Sequence, residues 1–168
     1  MANKQNYNLP KKTEIIMKNL RIGFSLYGLL IVALQSFPNI IWVLFPPTIN
    51  SLEGNASSMP IIEYGEHILG VSIVILLIFL VRRRQEKVIP KGRAAIAVYI
   101  TIALYWFCWV LYFCTIQTLP VIYAMVVLPP VAFFCAGLAE KVYPISAVSA
   151  VFIIFHVLVA LENFPISG

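Results

Sequence analysis

The residues of this sequence that could bind a small molecule are polar side chains set inside long apolar runs. Gln35 and Asn39 lie four positions apart, so their amides would share one face of a helix. Pro38 lies between them and would bend that helix, because it cannot donate a hydrogen bond to the carbonyl of Leu34. This pattern predicts either a polar binding surface at a bend or two amides that hold neighbouring helices together.

Ionisable residues occur in two of the apolar runs. Two glutamates and a histidine lie at the start of one run, and a single histidine lies within another. Glu63 and His67 are spaced i and i+4, and Glu66 lies on the adjacent stripe. His156 interrupts an otherwise apolar segment. A carboxylate or imidazole at membrane depth needs a partner or a water-filled cavity. One Glu–His pair is too few ligands for a closed zinc site, so no metal ligand is predicted.

Aromatic residues form the second half of the predicted site. Stacked rings at mid-membrane depth can pack as bulk, or they can form a wall against a ligand and attract an organic cation. If the polar and aromatic groups face one space, the predicted ligand-binding residues are Gln35, Asn39, Trp42, Glu66, His67, Tyr105, Trp109, Tyr112, Tyr123 and His156.

Catalytic patterns are lacking. The sequence has no aspartate, no H-E-x-x-H or G-x-S-x-G motif and no glycine-rich phosphate loop. No catalytic residue is therefore predicted, the sequence leaves the cofactor unknown, and a membrane-embedded enzyme is the third of three hypotheses.

Composition determines the elements that must position these residues. Of 168 residues, 61% are hydrophobic and only 11% are charged, far below the quarter that a soluble domain carries. About 20 helical residues cross a bilayer core. The apolar runs of that length predict an all-α integral membrane bundle, a single transmembrane domain over residues 1–168 with five spans at about 22–45, 62–81, 94–117, 120–139 and 144–164.

The basic residues predict the orientation of the spans. All 12 Lys and Arg residues lie before the first span, between the second and third, or between the fourth and fifth. Because cytoplasmic loops are enriched in Lys and Arg, the N-terminus is predicted to be cytoplasmic and the C-terminus extracytoplasmic. The predicted site then lies in the outer half of the membrane, under the loop from Pro46 to Pro60.

Two strings of sequence carry a resemblance. They are residues 37–47, FPNIIWVLFPP, followed by Glu66, and Leu128-Pro129-Pro130 leading to residues 140–144, EKVYP, and His156. Together they resemble an uncharacterised group of small polytopic bacterial membrane proteins. The resemblance implies a multi-pass protein of the bacterial plasma (inner) membrane and no particular activity.

The leading hypothesis is a small membrane protein that binds or transports a small-molecule ligand in a polar, aromatic cavity. The alternative is a structural or accessory subunit whose polar residues lock helices to each other, to a second copy or to a membrane partner. The lipid bilayer is a predicted partner in both cases, and nucleic acid is not, because the positive charges lie beside spans.

Overall fold

The computed structural model describes residues 19–83 and 88–166, and within them the chain forms five helices and one pair of short strands. The basic residues Lys4, Lys11, Lys12, Lys18, Arg84 and Lys87, and both chain termini, lie outside the described residues. In chain order the elements are β1 (Leu20–Ile22), α1 (Leu26–Leu44), α2 (Pro60–Phe79), β2 (Leu80–Arg82), α3 (Arg93–Phe113), α4 (Leu119–Glu140) and α5 (Tyr143–Asn163).

All five helices are long and apolar enough to cross a membrane. They contain 19 to 22 residues each, against the roughly 20 that a bilayer core requires. The predicted number and order of long helices are confirmed. Each is connected to the next so that successive helices run in opposite directions along the bundle.

The ends of α1 and α2 differ from the predicted spans because the chain pairs there as strands. β1 and β2 are antiparallel, with Arg21 opposite Val81, so Ile22, Leu80 and Val81 are extended rather than helical. The pairing continues to Ser25, the N-cap of α1, whose amide donates to the carbonyl of Ile78 at 2.8 Å. The amides of Gly23 and Ser25 thus satisfy carbonyls at the end of α2 that the helix itself would leave unpaired.

α3 ends at Phe113, four residues before the predicted end of the third span at Gln117. Thr115 adopts a left-handed conformation with φ of 66°, which ends the helix. Gln117 therefore lies beyond the end of the helix. Its side-chain amide donates to the carbonyl of Ile49 in the α1–α2 loop (residues 45–59) at 2.6 Å.

The helices do not pack equally. α4 packs closely on α3 and α5, and α5 packs on α2, whereas α1 touches α3 and α4 only lightly. α1 is held mainly at one point against α2, where Gly28 approaches Leu77 so closely that a Cβ would lie 1.9 Å from the Leu77 carbonyl oxygen. From that crossing, α1 continues toward the α1–α2 loop with space between it and the other helices.

The buried side chains form two clusters along the bundle. The larger includes Tyr27, Leu77, Val98 and Ile145 and lies toward the end that carries the strands, hereafter the strand end. The smaller is built on Tyr105, Trp109 and Met125 and lies toward the end that carries the α1–α2 loop, the loop end. The space beside α1 borders both clusters.

Candidate functional site

A cavity of about 360 Å³ lies between α1 and the helices α3, α4 and α5, toward the loop end. Ligand sites span roughly 300–1,000 Å³, so its volume suits a small molecule. It is lined by Gln35, Ser36, Asn39, Trp42, Leu52, Asn55, Tyr105, Trp109, Met125, Val126, Pro129, Phe133, Phe152 and His156.

α1 contributes four lining residues, Gln35, Ser36, Asn39 and Trp42. Gln35 is only 3% exposed, and neither its Nε2 nor its Oε1 hydrogen-bonds any described residue. Asn39 Nδ2 donates to the backbone carbonyl of Gln35 at 3.2 Å, and Asn39 Oδ1 accepts from the Tyr105 hydroxyl, also at 3.2 Å. Asn39 therefore joins α1 to α3 by a hydrogen bond, while the Gln35 side chain lines the cavity with its polar atoms unbonded to any described residue.

The bend of α1 is supported from α3. Pro38 leaves the carbonyl of Leu34 without its helical donor, and the indole N–H of Trp106 donates to that carbonyl at 2.9 Å. The Trp106 ring also stacks on Phe37, with centroids 5.4 Å apart. Trp106 thus completes the backbone of α1 from outside the cavity, a role that the sequence analysis did not predict.

An aromatic wall from α3 forms one side of the cavity. The Trp109 ring meets Tyr105 and Tyr112 edge-on, at centroid distances of 6.3 and 5.4 Å, and lies 6.4 Å from Trp42. Trp109 is 4% exposed, and its Nε1–H, beside the Tyr105 hydroxyl, forms no hydrogen bond of ordinary geometry with the described residues. The wall therefore combines an apolar face with a donor that the protein does not satisfy.

The opposite side carries the histidine. His156 Nδ1 and Glu66 Oε1 are in direct hydrogen-bond contact between α5 and α2, and the His156 ring stacks on Phe152 at 5.0 Å. Its other nitrogen, Nε2, makes no hydrogen bond to the described residues. With Glu66 accepting from Nδ1–H, Nε2 of the neutral ring is an acceptor.

α4 lines the remaining side with the residues around its two internal prolines. Pro129 and Pro130 have no amide hydrogen, so the carbonyls of Met125 and Val126 lose their usual helical donors. Met125, Val126 and Pro129 all line the cavity. Backbone irregularity within spanning helices is tolerated where it borders protein or a cavity.

The α1–α2 loop lies over the site and is hydrogen-bonded to side chains of α1, α3 and α5. Asn50 Oδ1 accepts from Trp42 Nε1 at 2.8 Å and from the Tyr112 hydroxyl at 2.7 Å. At its other end, Ser57 and Ser58 bind the Glu162 carboxylate of α5. Asn55 lines the cavity from this loop, and its buried Oδ1 has no hydrogen-bond partner among the described residues.

The structure brings most, but not all, of the predicted site residues together. Six line the cavity, Glu66 is one contact away through His156, and Tyr112 stands behind Trp109 and binds the loop. His67 lies apart, with 67% of its side chain exposed and Glu63 at 3.7 Å. Tyr123 also lies apart, where its hydroxyl donates to the carbonyl of Phe164 at 2.7 Å.

The lining residues that were not predicted are mostly apolar. Phe152 precedes His156 by four positions and could have been found from that spacing. Phe133, Met125 and Leu52 have no comparable sequence signal. Among the described residues, no three His, Cys, Asp or Glu side chains lie close enough together to hold a metal ion.

Comparison of the chain with protein-family models, curated proteins and solved structures gave no match. The resemblance to small bacterial membrane proteins stays a prediction.

Proposed function

We propose that the chain is a multi-pass protein of the bacterial plasma membrane that binds or transports a small molecule from the extracytoplasmic side. Membrane insertion is supported by the outer faces of the helices, where large apolar side chains such as Val43, Val71 and Val110 are more than half exposed. Such surfaces suit lipid and would be costly in water.

The orientation is supported by the distribution of charge. Every described Lys and Arg lies at the strand end, whereas Glu53, Glu63, Glu66 and Glu162 lie at the loop end. The strand end is cytoplasmic by the preference of Lys and Arg for that side. The cavity then faces outward, beneath the α1–α2 loop.

The binding role rests on one observation: the buried amide of Gln35 faces the cavity with neither of its polar atoms satisfied by the protein. Leaving such a group without a partner costs about 1–3 kcal/mol. A residue that served only to join helices would be expected to hydrogen-bond one of them. Gln35 is better explained as a group that meets a ligand.

A structural or accessory subunit is the second candidate, since other polar residues of the site do hold the chain to itself. Trp42 and Tyr112 bind the loop, and Asn39 joins α1 to Tyr105. These contacts explain the loop closure without any ligand, but they do not account for Gln35.

The binding role can be tested with whole protein purified in a mild detergent. Small molecules that remain bound are extracted and identified by mass spectrometry from the wild type, Val126→Phe and Val127→Phe. Val126 lines the cavity and Val127 does not, so only Val126→Phe fills the site. We expect the wild type and Val127→Phe to retain a compound that Val126→Phe has lost. Equal retention by all three, or retention by none, would contradict a ligand site.

A further inference from the structure

Building on that proposed function, we infer that the ligand is an uncharged, planar ring that carries an amide edge, an N–H and a C=O side by side. A carboxamide on an aromatic ring and a cyclic lactam share this edge. The inference depends on which polar atoms around the cavity are unsatisfied, on the shape of its walls and on the charge of its lining.

The Gln35 side chain determines the hydrogen-bonding edge. Its Nε2 and Oε1 are both buried at the cavity and both lack a partner among the described residues. A ligand with only an acceptor or only a donor would satisfy one atom and leave the other desolvated. A second amide, aligned head to tail, satisfies both at once.

Two further atoms extend the same pattern. The Trp109 Nε1–H, beside the Tyr105 hydroxyl, forms no hydrogen bond of ordinary geometry with the described residues, and no donor among them bonds the buried Asn55 Oδ1. Both residues line the cavity, from the aromatic wall and from the loop. A ligand that both donates and accepts is again favoured, and a hydrocarbon would leave all four atoms unsatisfied.

The walls favour a flat ring. Trp109 with Tyr105 lies on α3, and the stacked pair Phe152 and His156 lies on α5, so aromatic rings face the space from two helices. Aromatic rings pack on one another in offset or edge-on geometry with centroids 4.5–7 Å apart. A planar ring can make such contacts with little loss of conformational entropy.

The charge of the lining favours a neutral molecule. No Lys or Arg lines the cavity, and the described charged groups of the loop end, histidines aside, are carboxylates, so an anion would meet no cation there. Glu66, the carboxylate in contact with the lining residue His156, is already engaged by that histidine. An organic cation would therefore lack a free counter-ion and would also leave the Gln35 donor without an acceptor.

Three compounds of nearly identical shape isolate these features. Benzamide carries the amide edge, acetophenone replaces its NH₂ by a methyl group, and benzoate replaces the amide by a charge. Their affinities for whole protein in lipid nanodiscs can be measured by isothermal titration. We expect benzamide to bind at least about tenfold more tightly than either of the others, because a site built to hydrogen-bond a group discriminates against an analogue that lacks it.

Two variants assign the preference to Gln35. Gln35→Met retains the length of the side chain and removes its polar atoms, so it should fold normally and lose most of the preference for benzamide over acetophenone, with only the contribution of Asn55 remaining. Ser149→Ala removes a buried hydroxyl that bonds Ile145 within α5, away from the cavity lining, and should keep the preference.

Equal binding of benzamide and acetophenone by the wild type, tighter binding of benzoate, or no binding of benzamide would overturn the assigned ligand class. Binding in the cavity would still be supported if Val126→Phe lost a compound that the wild type and Val127→Phe retain. Absence of that difference would instead remove the proposed function, so the two failures are distinguishable.

Discussion

The polar residues within the five long helices differ in whether the protein satisfies their hydrogen bonds, a difference that their types alone do not reveal. Asn39 and Trp106 complete hydrogen bonds inside the protein, whereas Gln35 does not. Depth along a predicted span can be deduced from the sequence, and Gln35 and His156, which that depth grouped together, line the same cavity. Rotation about the helix axis depends on packing against other helices, which is why His67 and Tyr123 lie away from the cavity although their depth is suitable.

At the residue scale we predict the tautomer of His156. The Glu66 carboxylate accepts from Nδ1–H, so the neutral ring should carry its proton on Nδ1. Nitrogen-15 NMR of histidine-labelled protein distinguishes the two tautomers, and the sequence has only two histidines. Glu66→Gln should shift the His156 signals and leave those of His67 unchanged.

Glu63→Gln is the matched control, because Glu63 is the neighbour of His67. It should affect His67 alone. A His156 that stays protonated on Nε2 in the wild type, or one that is insensitive to Glu66→Gln, would show that the contact between α5 and α2 does not fix the ring.

The number of helices follows from local sequence patterns, whereas the positions of some helix ends depend on tertiary contacts. Five apolar runs predicted five helices, because the length of a run is a local property. The ends were less predictable: Ile22 pairs with Leu80 as strand, and the third helix stops at Phe113. The strand at Ile22 depends on a partner distant in sequence, and the end of the third helix depends on a single left-handed residue, Thr115.

At the element scale we predict that Trp106 stabilises the bend of α1. Trp106→Phe keeps an aromatic ring against Phe37 but removes the donor to the Leu34 carbonyl. Unfolding free energy in detergent should fall by about 1–3 kcal/mol, the cost of leaving the Leu34 carbonyl without a donor on an apolar helix face that detergent covers.

A double-mutant cycle separates that bond from packing. In a Pro38→Ala background the residue at position 38 regains an amide that can donate to Leu34, so the same Trp106→Phe change should cost much less. Equal costs in the two backgrounds would mean that the Trp106 indole does not replace the missing helical donor.

The whole molecule is a bundle in which one helix is less tightly packed than the rest. α3, α4, α5 and α2 pack in succession, while α1 is held by the strand pair and by Gly28 against Leu77 at one end. At the other end the α1–α2 loop ties Trp42 to Tyr112 through Asn50. The order of the helices and a polar, aromatic cavity were predicted, but the uneven packing that leaves the space beside α1 was not, because pairwise packing leaves no periodic signal in a uniformly apolar helix.

At the scale of the whole molecule we predict the side of the membrane on which each end lies. In a background where Cys108, Cys114 and Cys135 are replaced, single cysteines are placed at Glu53, in the exposed α1–α2 loop, and at Lys91, exposed at the strand end. Since Lys and Arg favour the cytoplasm, an impermeant maleimide should label Glu53→Cys on intact cells. Lys91→Cys should react only after permeabilisation. The reverse pattern would invert the orientation and place the cavity on the cytoplasmic side, and labelling of both on intact cells would be incompatible with α2 crossing the membrane between them.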